Sequence, residues 1–322
     1  MNMKTNDELK MLVRQKYEEI ANGETADCGC GPSSPEPSSP GPSSRGATSC
    51  CGPANTLSEQ ENNNLMIDMN LSYEGQAGYV AEADLGLGCG LPVEFAQIQP
   101  GDVVLDLGSG AGNDCFIARA ETGETGRVIG LDMTPAMIDR ARRNAKARGY
   151  RNVEFVYGDI EDMPLPDSLA DVVVSNCVMN LVPDKARAFA ETFRVLKPGG
   201  HFSISDIVLA GELPEGLRQD AELYAGCVSG AIQEADYLHI AEEAGFTNLT
   251  LQKRREIVLP EAVLEKYLTS DEISAYRSQG RGIFSITLYA EKPGQPLPKA
   301  CCEAKAVQML HSGEVEAGAA CC

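Results

Sequence analysis

Residues 104–114 read VLDLGSGAGND. A short apolar run, Val103 to Leu107, passes directly into a turn carrying Gly108, Gly110 and Gly112. Glycines in that position let the backbone turn tightly and approach a ligand closely. From this point apolar strands and helical segments alternate. Arg127–Leu131, Val153–Tyr157, Asp171–Ser175 and His201–Ser205 read as strands. Helices are expected from Cys115, over Pro135–Arg148 with proline in the first turn, and over Lys185–Leu196 up to the breaker KPGG. Strands separated by helices predict βαβ units and a mostly parallel, doubly wound sheet covered on both faces, an α/β fold. A helix at Gln233–Ala244 and strands at Thr247–Ile257 and Ile283–Ala290 follow.

The flanks have a different composition. Thr5 to Ile20 has an amphipathic pattern, with Thr5 and Glu8 spaced as a capping box. Residues 31–46 hold five Pro, six Ser and three Gly and are expected to be a flexible linker, bracketed by Cys28 and Cys30 before it and Cys50 and Cys51 after it. The expected organisation is a helix over 1–22, a linker over 23–55, a central domain over 56–255, a small C-terminal extension over 256–293 and a cysteine-containing tail over 294–322.

The chain of 322 residues carries 27 basic and 47 acidic side chains, a formal charge of −20. So acidic a surface argues against nucleic acid or an anionic membrane as partner. The N-terminus has no apolar signal core, which points to the cytoplasm. Twelve cysteines are then unusual, because a reducing compartment disfavours structural disulfides. Only three histidines are present, His201, His239 and His311, and none is spaced from cysteine as in a zinc finger.

The acidic residues around the glycine turn narrow its ligand. Asp106 precedes the turn and Asp114 follows it. Carboxylates there repel a pyrophosphate and suit a cation, and S-adenosylmethionine carries an ammonium and a sulfonium without phosphate. Asp132, with Met133, ends the second strand where an acidic side chain reaches a ribose diol. Asp159 and Ile160 end the third strand, where an adenine edge is expected. Each aspartate taken alone is equally an ordinary cap or turn former. The motifs VLDLGSGAGND, GLDM, GDIEDMPLPD and RVLKPGG together resemble the class I S-adenosylmethionine-dependent methyltransferases over about residues 100–206.

Three internal cysteines have glycine or asparagine neighbours: Cys89 in GLGCG, Cys177 in VSNCVMNLVPDK and Cys227 in AGCVSGA. The fold expected here places Cys177, just past the fourth strand, near the cofactor. A buried cysteine is more often a small hydrophobe, the reading given to Cys115. These motifs are similar to those of the arsenite methyltransferases, and this resemblance covers about residues 65–250. It implies that Cys89, Cys177 and Cys227 hold trivalent arsenic as substrate. It also implies that a cysteine nearer the N-terminus, Cys51 or its neighbour Cys50, takes part in redox, with a pair such as Cys51 and Cys89 forming a disulfide that thioredoxin or a small thiol reduces. Asn176 and Asn180 flank Cys177 and are read either as positioning groups for the thiol or cofactor or as helix-start caps. The cysteine pairs at 28/30, 301/302 and 321/322 are read either as thiol relays or as parts of unordered tails. Two other readings stay open: a methyltransferase with a small organic acceptor, and a thiol-rich metalloid-binding protein without catalysis.

Overall fold

The computed structural model describes residues 5–22, 72–213, 216, 228, 230–259, 261–278 and 280–294. The 23–55 linker and the 295–322 tail lie outside the described residues.

Helix α1 spans Asn6–Asn22, and its capping box is formed. The Thr5 N–H donates to Glu8 Oε2 at 2.7 Å, and the Glu8 N–H donates to Thr5 Oγ1 at 3.3 Å. The central alternation then begins: β1 (Val103–Leu107), α2 (Asn113–Thr122), β2 (Arg127–Asp132), α3 (Pro135–Ala147), β3 (Val153–Tyr157), β4 (Ala170–Asn176), α4 (Lys185–Val195) and β5 (Leu196–Ala210). There follow α5 (Glu234–Glu243), β6 (Thr247–Ile257), the short α6 (Glu261–Leu264), α7 (Ser270–Ser278) and β7 (Gly282–Glu291).

The strands form one seven-stranded sheet in the order β3-β2-β1-β4-β5-β7-β6. The first five are parallel, and β7 runs antiparallel to both β5 and β6. The chain moves outward from β1 through β2 to β3, then returns to place β4 on the other side of β1. That reversal opens a crevice beyond the carboxyl ends of β1 and β4, where open α/β sheets bind ligands.

Alternate residues of each inner strand face opposite layers. Leu105, Leu107, Ile129 and Val173 face α4 and α5, where Phe189, Phe202, Tyr237 and Phe246 build an aromatic cluster. Phe189 and Tyr237 meet edge to face at 5.5 Å, and Phe202 and Phe246 at 4.7 Å. Val104, Val128, Val172 and Val174 face α2 and α3, packing on Phe116, Ile138 and Ala141.

Two elements depart from the sequence reading. KPGG does not simply end a helix. It lies inside β5, which starts at Leu196 and runs to Ala210. The pairing of β5 with β7, from His201 with Glu291 to Ala210 with Gly282, carries the strand past Ser205. Asp206, the next residue, is fully buried. In addition, part of the stretch read as a C-terminal extension, Gly282–Glu291, is β7 itself. It sits between β5 and β6 inside the sheet, so it is not an appendage to it.

Candidate functional site

The glycine turn leaves β1 with Gly108 at φ +69° and Gly110 at φ +51°. A side chain on Gly108 would put its Cβ 2.5 Å from the Val178 side chain, whereas the space beside Gly110 is open. The turn is pinned to β2. Gly110 N–H donates to Asp132 Oδ2 at 2.9 Å, and Thr134 N–H donates to Oδ1 at 2.8 Å.

Beyond this turn lies an open cleft. Gly108, Gly110, Asp132, Met133, Asp159, Ile160 and Asn176, all singled out in the sequence, line it together with Cys177. Asp106 is the exception. It is fully buried beneath the turn, where Cys115 Sγ donates to its Oδ2 at 3.2 Å. Its contribution to the wall is therefore through the turn above it. Cys115 is buried as expected, but its thiol has a carboxylate partner. Asp159 does not reach freely into the cleft: Lys10 Nζ of α1 lies 2.6 Å from its Oδ2, and Lys10 also pairs with Glu161. Thus α1 closes one side of the cleft through Lys10, Val13 and Tyr17.

The opposite wall is acidic and desolvated. Asp114 accepts from Tyr73 Oη at 3.0 Å and from Asn176 Nδ2 at 3.3 Å, both at Oδ2. Burial pushes Asp114 up to about 6, and the same desolvation raises Asp106 well above the usual carboxylate range. Among the described residues no Lys or Arg pairs with either one. Asp114 Oδ1, Asn113 Nδ2 and Ser109 Oγ are buried without a protein partner. Buried polar atoms left in this state at a cleft call for ligand groups. An ammonium suits Asp114, and a carboxylate suits the Asn113 amide donor. The wall therefore fits the zwitterionic methionyl end of S-adenosylmethionine.

At the end of β4 the cleft meets the cysteines. Cys177 has φ +59°, and its N–H donates to Ser205 O at 2.8 Å. Cys89 is bonded to it across a separation of 88 residues, with Cα atoms 5.7 Å apart. Asn176 holds the Cys89 loop. Its Oδ1 accepts from Cys89 N–H at 3.1 Å and Gly90 N–H at 3.2 Å, and its Nδ2 donates to Gly90 O at 2.9 Å. Gly90 passes so close to β5 that a Cβ there would lie 2.3 Å from Ser205 Oγ. A carboxylate oxygen of Asp206 and both sulfurs lie within 4.8 Å of one another.

The disulfide among the described residues joins two of the three cysteines that the resemblance assigns to arsenic. Cys89 is bonded to Cys177, and Cys51, like Cys227, Cys50 and the terminal pairs, lies outside the described residues. Asn180 does not cap a helix through its amide nitrogen, which donates to Ile207 O of β5 at 2.8 Å. Tyr73, Lys10, Asn113 and Asp206 were not found by sequence reasoning. Tyr73 and Lys10 belong to segments remote from the motifs, and Asp206 directly follows the strand read as His201–Ser205.

The family description "Methyltransferase domain" matches residues 98–245. Sheet order, glycine turn and acidic cleft define a class I S-adenosylmethionine-dependent methyltransferase. The chain is 38% identical over 291 residues to the arsenite methyltransferase of Halobacterium salinarum, covering 90% of this chain and 68% of that one. It is 40% identical over 188 residues to the arsenite methyltransferase of Aquipseudomonas alcaligenes, covering 56% and 54%. The chain thus spans two thirds of the first relative's length and about half of the second's. A crystal structure of an arsenic(III) S-adenosylmethionine methyltransferase from Chlamydomonas reinhardtii is 36% identical, with a TM-score of 0.55 over 65% of this chain and 69% of that one. The chain belongs to the arsenite methyltransferase family.

Proposed function

We propose that this enzyme transfers a methyl group from S-adenosylmethionine to trivalent arsenic held by the thiolates of Cys89, Cys177 and Cys227, as a step in arsenic detoxification in the cytoplasm. One observation carries this reading. Two cysteines 88 residues apart meet at bonding distance beside the cofactor cleft, and one of them, Cys177, lines it. Soft thiolates select a soft centre such as arsenic(III). Cys89 and Cys177 come together from separate parts of the chain.

Bound S-adenosylmethionine supplies an electrophilic methyl group on its sulfonium. The carboxylates of Asp114 and Asp132 orient the cofactor, with Asn113 and Ser109 offering further polar contacts, while α1 limits water access through Lys10. Arsenic bound to three thiolates keeps a lone pair, so the attacking atom loses no proton and the site needs no general base. The work left to the protein is to hold two centres at attack distance. Methyl transfer uses the arsenic lone pair and formally oxidises arsenic by two electrons, from the trivalent to the pentavalent state. Two cysteine thiolates return those electrons by forming a disulfide, and thioredoxin or a small thiol then reduces it. Cys51 is assigned to this redox role. The Cys89–Cys177 disulfide is consistent with the loop reaching an oxidised state, in which neither sulfur is available to arsenic.

The deciding experiment is arsenic speciation. Reduced protein and its Cys177→Ser variant are incubated with arsenite, S-adenosylmethionine and a thiol reductant, and the arsenic species are separated with elemental detection. Methylated arsenic from the wild type alone is expected. If none forms while the cofactor still binds, a small organic acceptor replaces arsenic as the substrate.

A further inference from the structure

The two halves of the site, acidic cleft and thiol loop, are joined by one side chain. On one side Asn176 Oδ1 takes the Cys89 and Gly90 N–H groups at 3.1 and 3.2 Å, and Nδ2 reaches Gly90 O at 2.9 Å. On the other side the same Nδ2 donates to Asp114 Oδ2 at 3.3 Å and bonds Tyr73 Oη, which donates to Asp114 at 3.0 Å. The loop has little room to slide over this amide. A Cβ on Gly88 would lie 2.8 Å from Asn176 Nδ2, and one on Gly90 would strike Ser205. Asn176 is also the last residue of β4, directly before Cys177. Any change in the position of Cys89 relative to Cys177 is therefore felt at an amide that also holds a cofactor-facing carboxylate.

We propose that Asn176 is a positioning residue that couples the state of the Cys89 and Cys177 sulfurs to the affinity of the methyl-donor cleft. The inference rests on the reading of the cleft and thiols given above. The two-state element is the Cys89 loop. When its sulfur is joined to Cys177, directly or through one arsenic atom bonded to both, the loop is fixed. Asn176, Tyr73 and Asp114 are then already arranged for the cofactor. When the two thiols are free, the loop has more conformations, and cofactor binding must order it. By linkage the cofactor in turn favours the joined arrangement, so donor and arsenic assist each other's binding.

The test uses the full chain in three states: disulfide, dithiol and dithiol loaded with arsenite. The dithiol state is made with dithiothreitol, which passes two electrons and two protons to the Cys89–Cys177 bond and becomes a cyclic disulfide. S-adenosylhomocysteine binding is followed by calorimetry. We expect the disulfide form to bind at least about fivefold more tightly than the free dithiol form, the lower end of ordinary coupling between sites. In Asn176→Ala that ratio falls to within about twofold of one, although the protein still binds. Tyr73→Phe, which leaves the direct Asn176–Asp114 bond, retains part of the ratio and serves if Asn176→Ala does not fold. Equal affinities in the two wild-type states, or an undiminished ratio in Asn176→Ala (in Tyr73→Phe if the first variant is unfolded), overturn the proposal. If arsenite does not bind but the disulfide-to-dithiol ratio behaves as expected, the coupling stands and the arsenic substrate reading falls.

Discussion

Tyr73 Oη donates to Asp114 Oδ2 at 3.0 Å, joining residues 41 apart in sequence and setting the charge state of the wall that faces the cofactor. Burial holds Asp114 at about 6, and the Tyr73 and Asn176 hydrogen bonds keep it from rising further. A cationic ligand favours the ionised carboxylate, so binding draws on the fraction of Asp114 already ionised. Affinity for S-adenosylhomocysteine is expected to fall roughly tenfold from pH 7 to pH 5. In Tyr73→Phe the midpoint moves to higher pH. Calorimetric titration across this range checks both, and a flat profile removes Asp114 from the cofactor's contacts.

Asp206 gives a stability prediction of opposite sense to an ordinary surface aspartate. It is fully buried, accepts from Tyr237 Oη at 3.2 Å, and is pushed up to about 7 chiefly by desolvation. An unfolded aspartate has a value near ~3.9. The folded protein therefore binds the extra proton, and the stability it brings is full below about pH 4 and lost as pH rises to about 7. Asp206→Asn removes this dependence. Its stability relative to the wild type should improve from pH 4 to pH 7 by something on the order of 2–4 kcal/mol, then level off. Urea denaturation in the absence of arsenic measures it, and a constant difference at all pH values would contradict the assignment.

Gly90→Ala tests the placement of the thiol loop. The new methyl would meet Ser205 Oγ at 2.3 Å and Ser205 Cβ at 2.4 Å, deep in the sheet, so the loop must lift. The Cys89–Cys177 bond is then lost. Thiol titration of denatured, air-oxidised protein should count two more reactive thiols than the wild type gives, because one disulfide joins this pair.

Phe189 is the hub of the aromatic layer, in contact with Phe202, Tyr237 and Phe246. Phe189→Ala opens a cavity that rigid neighbours on α4, β5 and α5 cannot fill. A loss of about 3–5 kcal/mol is expected from equilibrium denaturation. A loss under ~1 kcal/mol would mean that this layer repacks freely.

Lys10 is the polar anchor of α1, paired with Asp159 and the buried carboxylate of Glu161. Lys10→Ala leaves Glu161 without this cation and loosens the helix over the cleft. Limited proteolysis within residues 6–22 should accelerate, and added S-adenosylhomocysteine should slow it less than in the wild type. Unchanged cleavage would show that Val13 and Tyr17 hold α1 without the ion pairs.

The sequence by itself determined the elements whose causes are local. Short apolar runs alternating with helical segments, the proline at the start of α3 and the glycines after β1 specify the parallel half of the sheet and the turn that Asp132 pins. Of the aspartates flagged there, Asp114, Asp132 and Asp159 stand at the cleft, the last two because a strand end fixes where its next residue goes. Only the tertiary structure decided the rest. The insertion of β7 between β5 and β6 depends on pairing between segments some eighty residues apart, which no local pattern encodes. The joining of Cys89 to Cys177 depends on a loop drawn in by Asn176 and by the tight passage of Gly90 over Ser205. Asp206, one residue past the strand end expected at Ser205, is a buried neighbour of two sulfurs. The physical reason is common to these cases. Periodicity records which face of an element is buried, whereas hydrogen bonds between distant segments record which elements meet, and those are fixed only when the chain is folded.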